Sequence, residues 1–222
     1  MSDYNEKEQV ELAKGWLREN GLWIVSGVAI AALGMAGWNW WHVRRDGQAE
    51  AASARYSEAL AAYNRGDAKR GEQLVDEINR DYAWTPYAAL GTLIVVRAQV
   101  EANELDKAAA GLRSVMDTAT DKEVRLVARV RLARVQLAQN KLDDALATLN
   151  VQDAGDFAPR FADARGDVLL AKGDRKGALR EYLAARTTDT KGRVDDELLD
   201  LKIRDLGGTP PKSPEETAAQ ES

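Results

Sequence analysis

Residues 22–41 read LWIVSGVAIAALGMAGWNWW, a stretch without a single charge, in a chain whose mean hydropathy is −0.45. A bilayer core of about 30 Å needs about 20 apolar residues in helical form, and this stretch meets that length. Trp38, Trp40 and Trp41 cluster at one end of it, and Trp16 and Trp23 lie at the other. Tryptophan favours the membrane interface, where its ring is buried and its N–H stays wet. Arg18 and Glu19 close one flank, and Arg44, Arg45 and Asp46 the other. A helix in a soluble core rarely runs so far between charged flanks without a charge of its own. The sequence therefore predicts a transmembrane helix over residues 21–43.

A cleavable signal peptide would carry a short basic leader and a small-residue cleavage site. Residues 1–20 instead hold Asp3, Glu6, Glu8, Glu11 and Glu19 against Lys7, Lys14 and Arg18, and no clear cleavage site follows the span. The expectation is an uncleaved anchor. Residues 1–20 form a short polar amphipathic segment, with Val10, Leu12, Ala13, Trp16 and Leu17 set among charges. Such a pattern suits either regulatory binding or the membrane surface. Orientation is a tie by charge: Lys7, Lys14 and Arg18 precede the span, and Arg44, Arg45 and Arg55 follow it. Within the span, Gly27, Ala31 and Gly34 recur at helical spacing. They form either the small-residue background of a membrane helix or a stripe for close packing against another one.

The remaining composition removes whole classes of function. The 222 residues carry a net charge of −5, whereas nucleic-acid binding draws on a basic field; no nucleic-acid partner is expected. There is no cysteine, and the one histidine, His42, sits at the membrane boundary. Zinc sites of the usual type, thiolate chemistry and a histidine-activated nucleophile are excluded on that count. The paired acids Asp143–Asp144 and Asp195–Asp196 are sequence neighbours, which do not face each other on a helix. No phosphate-binding glycine loop or calcium loop appears. The chain is expected to be neither an enzyme nor a cofactor carrier.

Beyond residue 44 a spaced pattern sets in. A turn residue is followed five positions later by a small residue and then by an apolar one: Gly66 with Gly71 and Val75, Asn103 with Ala108 and Leu112, Asn140 with Ala145 and Leu149, Gly173 with Ala178 and Tyr182. Seven residues before each turn stand Ala59, Val96, Ala133 and Gly166. Three of these four are small; small facing residues let antiparallel helices close, and Gly or Asn tolerates the non-helical turn between them. Pro86 and Pro159 mark helix starts. This spacing resembles the tetratricopeptide repeat, whose period is about 34 residues. The expected architecture is all-α: one N-terminal transmembrane helix, a tetratricopeptide-like α-solenoid over 44–206 with 194–206 capping the stack, and a disordered tail over 207–222. Residues 44–64 continue helically out of the span.

Stacked helix pairs bind along a concave surface lined by each first helix. In the repeat register the inward positions are Tyr56 and Tyr63, Leu93 and Arg97, Val130 and Arg134, and Asp163 and Asp167. That mixture suits an extended or weakly folded peptide.

The N-terminal stretch adds a separate signal. Tyr4, the run Glu8-Gln9-Val10-Glu11, Trp16, the triplet Glu19-Asn20-Gly21, and Gly37-Trp38 with Trp41 resemble the YfgM family, ancillary subunits of the bacterial Sec translocon. The resemblance implies an inner-membrane protein with a cytoplasmic N-terminus and a periplasmic repeat domain. It implies the SecYEG translocon, a PpiD-like periplasmic chaperone, exported polypeptides and membrane lipid as partners. A membrane-anchored scaffold whose repeats face the cytoplasm is the competing expectation.

Overall fold

A computed structural model describes residues 3–186 and 194–211; the expected tail beyond Pro211 lies outside them. The described residues are helical, without strands. The first helix, α1, runs Asp3–Asn64. The chain divides into a unit ending at Ala51 and a unit beginning at Ala52. The expected boundaries at 20/21 and 43/44 thus fall inside one helix, because nothing in those stretches breaks helical geometry.

In the first unit, apolar side chains point outward with nothing over them. Leu22 and Trp23 are each 79% exposed and Leu33 is 74% exposed. A helix apolar all round has no aqueous face to show, which is the pattern of a segment dissolved in lipid. At its far end the aromatic cluster is ordered. The His42 ring meets Trp38 tilted and Trp41 edge-on, at centroid distances of 4.7 and 5.2 Å, and Arg45 lies 4.6 Å above the Trp41 ring.

The second unit is built of helix pairs. The end of α1 pairs with α2 (Ala68–Asp81), α3 (Pro86–Glu101) with α4 (Leu105–Thr118), α5 (Lys122–Ala138) with α6 (Leu142–Leu149), and α7 (Ala158–Ala171) with α8 (Arg175–Arg186). A final helix, α9 (Asp196–Asp205), packs on α8. All four turn residues singled out in the sequence adopt positive φ: Gly66 at 80°, Asn103 at 58°, Asn140 at 58° and Gly173 at 84°. Each turn carries the same two bonds. The residue after the turn residue donates to the carbonyl five positions back, as Lys141 does to Gln136 at 2.8 Å, and the turn residue donates three back, as Asn140 does to Leu137 at 2.9 Å. This is the Schellman closure, which satisfies carbonyls that the helix end leaves orphaned.

The same closure occurs a fifth time. Gly207, at φ 80°, donates to Arg204, and Gly208 donates to Ile203. The helix α9 therefore ends as a first helix of a repeat ends, and Gly207 and Gly208, assigned to the tail from sequence, close it. Pro86 and Pro159 fall in the first turns of α3 and α7.

The core lies between the helices at the positions the spacing selects. Ala59, Ala108, Leu112, Ala133, Ala145, Leu149, Ala178 and Tyr182 are fully buried. Gly71 and Gly166 are small for a direct reason. A Cβ at Gly71 would stand 2.4 Å from the Tyr63 ring, and one at Gly166 2.3 Å from the Tyr182 ring. The first and last pairs each fit one tyrosine against one glycine, with the roles of the two helices exchanged.

Candidate functional site: the inner face of the repeat unit

The first helices α3, α5 and α7 present two hollows that share a ridge. One, of about 370 Å³, is lined by Val96, Val100, Leu105 and Val135, with Arg97 and Glu101 at its edge. The other, of about 360 Å³, is lined by Val127, Val130, Phe157, Arg160 and Asp163, and by Leu198 and Leu199 of α9. Arg131 and Arg134 of α5 line both. Helical spacing produces this arrangement: on α5, Val127, Val130, Arg131, Arg134 and Val135 recur three and four apart and so share one face.

Apart from Asp167, which lines neither hollow, the residues expected to point inward separate into three groups. Arg97, Val130, Arg134 and Asp163 line the hollows. Leu93 is 8% exposed and belongs to the core shared by α3, α4 and α5. Tyr56 and Tyr63 belong to the first pair. The Tyr56 ring packs against that of Tyr87 with centroids 5.7 Å apart. Tyr63 lies over Gly71 with a buried hydroxyl that makes no hydrogen bond. Burial, with Glu72 and Asp76 nearby, pushes its phenol up to about 12.

Asp163 and Asp167 are held from within the chain. The Lys202 ammonium of α9 donates to both, at 2.7 Å and 2.6 Å. Arg134 donates to the other oxygen of Asp163 at 3.1 Å, and the Tyr182 hydroxyl donates to Asp167 at 2.8 Å. Burial opposes the charge on Lys202, but the two carboxylates outweigh it and hold the ammonium above the ordinary lysine range. Burial and the Asp167 bond push the Tyr182 phenol well above its ordinary value. Arg186 pairs with Asp200 of α9 at 2.8 Å, with both side chains largely covered. The last pair thus has its acidic inner positions occupied by the chain's own final helix.

Arg131 differs from its neighbours. Arg97 pairs with Glu101 and Arg134 with Asp163, but among the described residues Arg131 makes no hydrogen bond or ion pair. Partial burial comes first, then Arg134 and Arg160, in holding its guanidinium below the ordinary arginine range. The sequence reading missed Arg131, Arg160 and Lys202. It took two inward positions per first helix and treated α9 as a solvated cap; the three-residue step from Arg134 back to Arg131 was the available signal.

In the anchor, Gly27, Ala31 and Gly34 are exposed, and a Cβ at either glycine would meet nothing within 4 Å. The stripe is open to whatever surrounds the helix.

Comparison with known proteins places this architecture. A tetratricopeptide repeat-like domain family model matches residues 14–208. The chain is similar to the ancillary SecYEG translocon subunit of Escherichia coli (strain K12), 33% identical over 91% of this chain and 97% of that one. It is similar to the subunits of the same name from Neisseria gonorrhoeae (28%) and Haemophilus influenzae (25%), each over 90% of this chain and 97% of the relative. Among solved structures, a MamA chain (the RS-1 ArsTM double mutant) superposes with a TM-score of 0.51 at 14% identity, covering 70% of this chain and 94% of that one; at that identity it speaks for the helical fold alone. With its apolar anchor, its Schellman-closed helix pairs and relatives matched over nearly their whole length, the chain belongs to the YfgM family of ancillary SecYEG translocon subunits, whose members carry a tetratricopeptide repeat-like domain.

Proposed function

We propose that the protein is an inner-membrane adaptor of the Sec translocon that holds segments of exported polypeptides on the inner face of its repeats and passes them to periplasmic chaperones, a PpiD-like chaperone among them. The observation that carries this reading is the pair of hollows along α3, α5 and α7. They combine aliphatic with charged side chains, and no other part of the described chain fills them. Family membership supplies the translocon as the partner. Of the positions expected from sequence, Arg97, Val130 and Arg134 would contact the bound segment. Asp163 and Asp167 would act indirectly, by holding Lys202. Tyr56, Tyr63 and Leu93 would support the scaffold.

The anchor would cross the inner membrane with its N-terminus in the cytoplasm and the repeats in the periplasm. Gly27, Ala31 and Gly34 would pack against a membrane helix of SecYEG. Tethering to one membrane raises effective concentration to about mM, so weak contacts suffice for hand-over. Isolation of the full-length protein from membranes in mild detergent should recover SecYEG with it, and a Gly27→Leu/Gly34→Leu variant should recover less. A cysteine introduced at the exposed Ser114 should react with an impermeant maleimide in intact spheroplasts. Protection of Ser114→Cys would place the repeats in the cytoplasm and favour a scaffold for signalling or division complexes instead.

A further inference from the structure

Arg131 stands on the ridge between two hollows that each carry aliphatic side chains, and among the described residues no carboxylate answers its charge. Near it, Arg134 is paired with Asp163 and Arg97 with Glu101. Asp163 also receives Lys202, and the Asp195 carboxylate accepts the Leu198 N–H as a helix cap. The acids within the two hollows are therefore engaged. The Arg131 side chain is exposed on the ridge without a counter-charge, and a carboxylate binds a guanidinium in two-point geometry. The hollow on each side of the ridge means that a chain crossing Arg131 continues in both directions and sets an apolar side chain on either side. First helices in adjacent pairs lie about 10 Å apart, and an extended chain rises about 3.3 Å per residue. Each hollow therefore begins about half that distance from the ridge, and because side chains of an extended chain alternate in facing, the matching pattern is an acidic residue with aliphatic residues two positions before and after it.

We propose that Arg131 is the specificity-determining residue of this groove, selecting extended segments in which an internal Asp or Glu is flanked on both sides by aliphatic residues. This rests on the reading that the inner face binds polypeptide segments, and it adds which segments. A terminal carboxylate fits less well, because a chain that ended at Arg131 would leave one hollow empty.

The probe is a fluorescein-labelled peptide, GSQLSESLQSG, titrated against the full-length protein in detergent and followed by fluorescence anisotropy. Replacing its Glu by Gln should weaken binding on the order of tenfold, and replacing both Leu by Ser should weaken it comparably. Arg131→Gln should remove the preference for Glu over Gln. Arg131→Glu should reverse it, so that a peptide with Lys in place of Glu now binds better than the original. This charge swap excludes a merely structural effect, and both variants should keep the parent's melting temperature. Equal binding of the Glu and Gln peptides, with competition from unlabelled casein retained, would overturn the selectivity while leaving polypeptide binding intact. No binding of any peptide would overturn it as well, without touching recovery of SecYEG. Self-association of the parent that disappears in Arg131→Glu, with no peptide bound, would assign the groove to a second copy and likewise overturn it.

Discussion

The ring of Tyr182 lies over Gly166, so close that a Cβ on the glycine would stand 2.3 Å from it. Tyr182 is fully buried, and its hydroxyl is held by Asp167, so the ring has no room to withdraw. Gly166→Ala should therefore destabilise the repeat unit by about 1–3 kcal/mol through overpacking, although alanine is the better helix former. Gly47, which has open space where its Cβ would go, is the contrast: Gly47→Ala should gain about 0.5–1 kcal/mol in helix propensity. Thermal unfolding followed by circular dichroism would separate the two signs.

Lys202 ties α9 to α7 through two carboxylates, one of them on a side chain only 8% exposed. Removing the ammonium leaves Asp163 with Arg134 alone and Asp167 with the Tyr182 hydroxyl. Lys202→Met should cost about 1–3 kcal/mol, below the 3–5 kcal/mol of a fully buried pair because Lys202 itself is partly in water. Hydrogen exchange should show the loss concentrated in residues 196–205.

Asn140 holds φ at 58°, a region that non-glycine residues enter at a cost. Asn140→Ala should destabilise by about 1 kcal/mol, and Asn140→Gly should be neutral or slightly favourable. Chemical denaturation midpoints would rank Gly at or above Asn, and Ala below both.

Lys202, Tyr182 and Tyr63 all have folded-state proton affinities raised above their ordinary values. A raised value means that the folded state holds its proton more tightly. The associated stability is complete below the unfolded values, near pH 10, and is lost as pH climbs toward the folded ones. For Tyr63 that window runs from about 10 to about 12. Its buried hydroxyl has no partner, so Tyr63→Phe should leave stability at pH 7 unchanged or improved. It should also make the alkaline fall in melting temperature shallower.

The scaffold was legible in the sequence because its constraints are local. Turn residues with positive φ, small residues five positions on, and apolar residues beyond them are fixed by single helix pairs, and every one of those positions is used as the spacing requires. The anchor was legible for the same reason, since twenty uncharged residues admit few other environments. The inner face was less so. Leu93 reads as inward by register but is absorbed into the core with Leu112 and Leu132, because α3 packs on two neighbours at once. Asp163 and Asp167 looked like binding positions. Only the fold brings Lys202, far along the chain, onto them. Arg131 is notable for having no partner among the described residues, and that is a property of the assembled structure.

The central claim is that the inner face of the repeats meets exported polypeptides beside the translocon. The most direct measurement is photocrosslinking in living cells from a probe at position 97, in the groove, compared with one at position 114, on the exposed face of α4. The account predicts adducts from position 97 with an arrested exported chain or a periplasmic chaperone, lost when export is blocked, and few from position 114. Equal patterns from the two positions, or adducts from neither, would contradict it.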